Sequence, residues 1–268
     1  MKDVKAKKSL GQNFLQDESI LNRIIEDGKI SQDDVVIEIG PGKGALTEKL
    51  AKACKKVVAI ELDDRLIDLL HTKFVGNENV EIIHDDILKI NLPELIERYK
   101  IQDTRYKVVA NIPYYITAPI IRLLLETKFP PSEMILMVQK EVAERIVAEK
   151  GEMSILAVSV QYYAEAQYLF TVPRSAFDPA PKVDSVIIRI VTRNQELVTG
   201  KKEETKKFFK IVRAGFSAKR KTLANNLSSS LQLDKKEVEE KLESLGFSKN
   251  VRAQELGVED WKRLLNVL

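Results

Sequence analysis

Apolar residues in this chain form short, nearly unbroken runs over the first two thirds and helix-spaced stripes over the last third. The runs lie at 35–40, 57–62, 80–85, 107–112, 134–138, 158–163 and 183–191, and the early ones are almost continuous Val, Ile and Ala. A strand covered on one face alternates apolar and polar positions; a strand covered on both does not. The runs therefore predict parallel strands between two layers of helix. Helix-spaced stretches fall between them at 46–55, 64–74, 119–127 and 140–148. That alternation predicts an α/β doubly wound sheet. The last two runs have no obvious long helix between them, which predicts an antiparallel edge hairpin on an otherwise parallel sheet.

The pattern changes near 192–202. Beyond it only helical spacing remains, at 205–214, 219–228, 235–245 and 258–267, punctuated by Gly215, Gly246 and Gly257. Two domains are expected, residues 1–195 carrying the sheet and residues 196–268 forming a small all-helical unit. Phe208, Phe209 and Phe216 recur at near-helical spacing and suit the core of that unit.

The chain has 268 residues, enough to bury a sizeable core without disulfides or metals. Cys54 is the single cysteine, so no intramolecular disulfide framework exists and a reducing cytoplasmic setting is expected. His71, His84 and Cys54 make no metal-ligand spacing, and no metal is expected. The basic N-terminus lacks the apolar core of a secretory signal, and no apolar run reaches the ~20 residues of a membrane span. Net charge is only +3, but its distribution is uneven. Between 206 and 222 there is no Asp or Glu, while Lys206, Lys207, Lys210, Arg213, Lys219, Arg220 and Lys221 all fall there. Lys2, Lys5, Lys7 and Lys8 form a second block. Either block alone reads as a solvated surface; together they suggest a polyanion-binding surface, with Lys219, Arg220 and Lys221 against phosphate.

Candidate chemistry begins after the first long strand, with Gly40-Pro41-Gly42-Lys43-Gly44. The G-x-G-x-G spacing is neither that of a nicotinamide dinucleotide fold nor a Walker loop. Glu61 ends the second strand 21 residues beyond Gly40, where a carboxylate accepts hydrogen bonds from ribose hydroxyls, and Asp86 follows the third. A tight turn with surface acids would account for the glycines alone; the three features together point to an adenosine-containing cofactor. After the fourth strand comes Asn111-Ile112-Pro113-Tyr114-Tyr115. An adenine amine is a poor nucleophile because its lone pair is delocalised into the ring. Two carbonyl acceptors, the Asn111 side chain and the Ile112 backbone, suit an amine being drawn toward tetrahedral geometry. Pro113 stiffens their turn, and Tyr114 is placed to stack on an extruded base.

These segments resemble the ribosomal RNA adenine dimethyltransferase family, specifically its small-subunit members. The resemblance covers nearly the whole chain. It is carried by GQNFL at 11–15, EIGPGKGALT at 38–47, ELD at 61–63, DDIL at 85–88, NIPYYI at 111–116 and VQKEVAERI at 138–146. FDPAPKVDS at 177–185, FSAKRKTLANNL at 216–227 and RAQEL at 252–256 complete it. Position 115 is Tyr where many relatives have Asn, a tolerated variation.

The resemblance implies a Rossmann-like class I methyltransferase, with a mainly parallel seven-stranded sheet, helices on both faces and a small all-α C-terminal domain. It implies S-adenosyl-L-methionine as cofactor. Asn13 and Leu15 would border it, Gly40 would line its amino-acid end, Glu61 would hold the ribose and Asp86 would read the adenine. Asn111 would lie between cofactor and target base, with Phe177 closing on that base opposite Tyr114. The implied reaction is dimethylation of the N6 amines of two adjacent adenosines in the 3′-terminal hairpin loop of 16S rRNA, late in small-subunit biogenesis. The implied partner is small-subunit rRNA in pre-30S particles, bound by a monomer, with no DNA and no membrane. A 23S rRNA dimethyltransferase of the antibiotic-resistance type would share the catalytic segments; FSAKRKTL and RAQEL favour the small-subunit group. A non-catalytic RNA-binding factor on this fold would not need the intact 111–114 loop with Glu61 and Asp86.

Overall fold

Val35, Val36, Ile37 and Ile39 are all buried, as a strand covered on both faces requires. The computed structural model of the chain describes residues 4–7, 10–101, 106–193 and 202–268, apart from the side chains of Tyr114 and Lys202. Lys2, Lys8 and most of the expected 192–202 junction thus lie outside the described residues.

The elements in order are β1 (Phe14–Leu15), α1 (Glu18–Asp27), β2 (Val35–Ile39), α2 (Ala45–Ala53), β3 (Lys56–Glu61), α3 (Asp64–Lys73) and β4 (Val80–His84). Next come α4 (Leu92–Arg98), β5 (Tyr106–Asn111), α5 (Thr117–Glu126), β6 (Glu133–Gln139), α6 (Lys140–Ile146), α7 (Ile155–Tyr163) and β7 (Ala164–Val172). The chain ends with β8 (Phe177–Asp178), β9 (Ser185–Thr192), α8 (Lys202–Gly215), α9 (Leu223–Leu231), α10 (Lys235–Ser244) and α11 (Val258–Leu265).

The large sheet has seven strands in the order β4-β3-β2-β5-β6-β9-β7. Strands β2 to β6 pair in parallel, and β9 runs antiparallel to β6. From β2 the chain steps outward through β3 and β4, then returns to the other side of β2 as β5. The strand order reverses there, so a crevice opens beyond the carboxyl ends of β2 and β5. In register, Ile39 lies opposite both Ile60 and Ala110, and Glu61 opposite His84, so the residues after these strands gather at one end of the sheet.

Two compact units result, residues 1–143 with 165–193, and residues 144–164 with 194–268. The expected boundary at 195/196 falls beside the second crossover, but the 144–164 segment groups with the C-terminal helices. The core of the helical unit is built on Trp261, Phe208, Val212, Leu223, Leu242 and Leu264, with Phe209 and Phe216 packed against it. Among the described residues no helix is long and apolar enough to cross a membrane.

Two expected elements are corrected. Residues 158–163, read as a strand, belong to α7. The Ser154 hydroxyl accepts the Ala157 N–H at 3.2 Å and starts the helix, whose Ala157 and Val158 enter the helical core. Burial outweighs the β preference of Val158, Val160, Tyr162 and Tyr163. The edge strand is β7 instead, where Phe170 and Val172 point inward and Thr171 outward. The helix expected over 219–228 starts only at Leu223, because the Thr222 hydroxyl caps it by accepting the Asn225 N–H at 3.4 Å. Lys219, Arg220 and Lys221 therefore lie on the exposed turn ahead of α9, not on the helix.

Candidate functional site

A cleft opens at the carboxyl end of the sheet, lined by the 10–15 segment, the 38–46 turn, the ends of β3 and β5, and the 85–87 loop. Gly42 lines it, and Gly44 lies behind it against Phe74 and Leu70, where α2 begins. Both glycines have left-handed backbone, φ 58° and 75°. A side chain at Gly44 would press to 2.8 Å from the Phe74 ring, so only glycine lets α2 begin there. The first turn of α2 has no side-chain cap.

Among the described residues four carboxyls line this cleft, Glu38, Glu61, Asp85 and Asp86, and Asp85 accepts the Asp86 N–H at 2.7 Å. Glu61, 5% exposed, accepts the Gly42 N–H at 3.1 Å and the Asp63 N–H at 2.8 Å. Burial raises its carboxyl above the ordinary range, and these backbone donors oppose the rise. Asp86 accepts the Leu88 N–H at 3.0 Å and pairs with Lys89 at 3.5 Å. Glu38, inside the apolar strand β2, is 2% exposed, and its Oε2 has no hydrogen-bond partner among the described residues. Burial pushes its carboxyl up to about 8, and the nearby Glu61 adds to the rise. At neutral pH the carboxyl therefore keeps its proton, and a buried polar group left unpaired is costly unless a ligand pairs with it. Asp63 is different in kind. It caps α3, and Arg65 beside it holds its carboxyl down at about 2.

Asn111 ends β5 and donates its side-chain amide to the Asn13 carbonyl at 3.1 Å. That bond fixes which way the amide points and turns Oδ1 away from Asn13. The Ile112 N–H donates to the Met137 carbonyl at 3.3 Å, tying the loop to β6. Pro113 leads into a short 3-10 turn at Tyr114–Ile116. Tyr115 is 62% exposed at the cleft mouth. The Tyr114 side chain lies outside the described residues.

Of the expected cofactor residues, Asn13, Leu15, Gly40, Glu61, Asp86 and Asn111 all line this one cleft. Phe177 does not. It pairs with Leu15 across the β1–β8 ribbon and is buried in the apolar cluster with Leu21 and Ile187. Lys219, Arg220 and Lys221 belong to the helical unit. Glu38 is not among the expected site residues, although a lone acid inside a buried Val/Ile strand is itself a signal. Gln12, Asp63 and Arg65 are not among them either; the Gln12–Asp63 bond joins residues 51 apart and leaves no local pattern.

The donor set suits an adenosine-bearing cation. Glu61 and Asp86 offer acceptors for hydroxyl and amine donors, the orphaned Glu38 oxygen lacks a partner among the described residues, and Leu15, Ile60 and Ile87 provide apolar walls.

A family model described as ribosomal RNA adenine dimethylase matches residues 3–268. The chain is 45% identical over 261 residues to the ribosomal RNA small subunit methyltransferase A of Dehalococcoides mccartyi, covering 97% of this chain and 88% of that protein. Against the protein of the same name from Geobacillus thermodenitrificans it is 45% identical over 267 residues, covering 98% and 90%. Among solved structures, a dimethyladenosine transferase from Plasmodium falciparum matches with a TM-score of 0.79 at 30% identity, over 94% of this chain and 95% of that one. The 23S rRNA methyltransferase ErmE matches with a TM-score of 0.76 at 29% identity, over 96% and 99%.

Proposed function

The chain belongs to the ribosomal RNA adenine dimethylase family, and from that footing we propose that it dimethylates the N6 amines of two adjacent adenosines in the 3′-terminal hairpin loop of 16S rRNA. It is an S-adenosylmethionine-dependent rRNA adenine methyltransferase. The small-subunit assignment is supported by 45% identity, over 97% and 98% of this chain, to relatives named for that subunit.

The observation that carries the chemistry is the pairing of Asn111 with Asn13 beside the carboxyl-lined cleft. When bound, S-adenosylmethionine supplies a methyl group on a cationic sulfur. We assign its ribose to Glu61, its adenine to Asp86, and its amino-acid end to the Gly40 turn beneath Glu38; Asn13 and Leu15 border it. With its amide committed to Asn13, Asn111 offers Oδ1 as a fixed acceptor, and the Ile112 carbonyl offers a second. In the first transfer two hydrogen bonds from the target amine to these oxygens weaken its conjugation with the ring; in the second the monomethylated amine keeps one N–H for one of them, and the acceptors are fixed in the folded loop before substrate arrives. Holding the amine in this geometry supplies much of the rate. The amine's proton leaves to solvent after transfer, so no strong base is required. Tyr114 is assigned to stack on the base. Phe177 supports the segment through Leu15 in this reading, because its ring is buried.

The sheet unit carries methyl transfer and the C-terminal helices carry rRNA contacts, with Lys219, Arg220 and Lys221 against phosphate. The protein acts as a cytoplasmic monomer on pre-30S particles. The test is single-turnover methylation of purified small- and large-subunit particles, with dimethyladenosines mapped on the product RNA. Modification of the 16S hairpin that falls by ~10²–10³ in Asn111→Ala supports the reading. Modification confined to 23S rRNA would transfer the protein to the other branch, and parental rates in Asn111→Ala would remove the loop from the chemistry.

A further inference from the structure

The segment that holds Asn111 is itself held. Gln12 donates from Nε2 to Asp63 Oδ2 at 2.8 Å, and its Oε1 accepts the Lys7 N–H at 2.8 Å. Arg65 grips the same carboxylate with two donors, Nε to Oδ1 at 2.8 Å and Nη2 to Oδ2 at 2.5 Å. Its other nitrogen, Nη1, reaches the Lys5 carbonyl at 3.4 Å. Asp63 is buried, and its N–H donates to Glu61. One continuous set of bonds therefore runs from Gly42 through Glu61 and Asp63 to Gln12. The next residue, Asn13, accepts the amide of Asn111. The 11–13 strap lies along the cleft with one end clasped by α3 and the other against the loop after β5.

We infer that Gln12, Asp63 and Arg65 form a latch that positions Asn111 for methyl transfer by holding the Asn13 carbonyl in place. This rests on the role given to Asn111 above. The physics favours a latch over a passive contact. A bidentate guanidinium–carboxylate pair is directional, and Gln12 uses both ends of its side-chain amide. An amide that loses its carbonyl partner is free to rotate, and the difference between acceptor and donor facing the substrate is the difference between a productive and an unproductive site. Gln12 and Arg65 touch neither reacting group in this reading; they are positioning residues.

The experiment is a double-variant cycle on the full-length protein, read as single-turnover methylation of small-subunit particles at saturating S-adenosylmethionine. Gln12→Met keeps the volume and removes the hydrogen bonds. It should slow transfer about tenfold, the scale expected of a modest misplacement of the acceptor. Combined with Asn111→Ala it should add nothing, because the residue it acts through is already gone. Arg65→Met, at an exposed position, opens the same latch from its far side and should behave alike, which covers a folding defect in the first variant. A rate at the parental level in both single variants overturns the latch. So does a loss that multiplies with that of Asn111→Ala, since a merely structural role gives independent effects. A parental rate in Asn111→Ala alone overturns the reading of the loop and the latch with it; a slow Asn111→Ala with an independent Gln12→Met overturns only the latch.

Discussion

Replacing Glu38 with glutamine should make the ligand-free protein more stable above neutral pH and leave the comparison flat in acid. In the folded chain burial holds this carboxyl at about 8, with Thr47 and Lys73 opposing and Glu61 reinforcing the rise, whereas its ordinary value is 4.5. Between those values the folded chain keeps a proton that the unfolded chain has released. Stability therefore falls as pH rises through that interval and levels off once the folded carboxyl also ionises. Each unit between the two states corresponds to ~1.4 kcal/mol, so the native carboxyl becomes less favourable by about 4 kcal/mol between about pH 5 and pH 9. Glutamine has nearly the same shape and no proton to lose. Urea denaturation of both proteins without ligand, at steps across that range, gives the difference directly, because titrations common to both cancel. The difference should turn in favour of Glu38→Gln as pH rises, by a few kcal/mol. Parallel stability curves would refute the reasoning, since they would mean that Glu38 titrates as a solvated acid and that the cleft floor is wet.

Glu61→Ala removes the acceptor of the Gly42 and Asp63 N–H groups together with the proposed ribose contact. S-Adenosylmethionine affinity by calorimetry should drop about a hundredfold, two charge-assisted bonds' worth, and unchanged affinity in a folded variant would remove Glu61 from the site. Gly215→Ala places a methyl group against the buried Trp261 ring and 2.9 Å from Leu223 Cδ1. Overpacking of ~1–3 kcal/mol should outweigh the ~1 kcal/mol that alanine gains in a helix, so the variant melts lower; equal or higher stability would contradict the packing. Reversing Lys219, Arg220 and Lys221 to Glu should leave cofactor affinity intact and weaken binding to small-subunit particles. The salt dependence should flatten by ~0.9 for each phosphate no longer neutralised, and unchanged binding at every salt concentration would leave these residues as solvated surface.

What could be read from the sequence follows from how local each signal is. Strands β2, β3, β5 and β6 stand out because both of their faces are buried, which erases polar alternation and leaves unbroken Val/Ile runs. The same logic misleads at 158–163, where the apolar residues serve a helix inside a second core that no window of sequence displays. In β7 the true strand is masked by Glu165 and Gln167 on its open face. Gly40, Glu61, Asp86 and Asn111 were legible because each sits at a strand end or glycine turn, where fold topology dictates position, whereas Asn13 and Leu15 came only from the family resemblance. Phe177 was expected on the base, yet its pairing with Leu15 takes the ring into the core, and that pairing joins segments far apart in sequence. The clasp of Gln12 by Asp63 and Arg65 is invisible for the same reason.

The path of the chain between the two units governs the order in which the protein can be completed. Helix α7 is made well before α8 begins, yet Ala157 and Val158 are buried among residues of α8, α9 and α11. During synthesis this apolar stripe emerges long before Trp261, so the helical core cannot close until α11 has been made. Removing everything after residue 195 would not yield a trimmed catalytic module, because α7 would remain as an uncovered greasy surface prone to aggregation. Dissecting the two units requires excising 144–164 as well, and a nascent chain stalled before α11 carries an open seam that a chaperone would recognise.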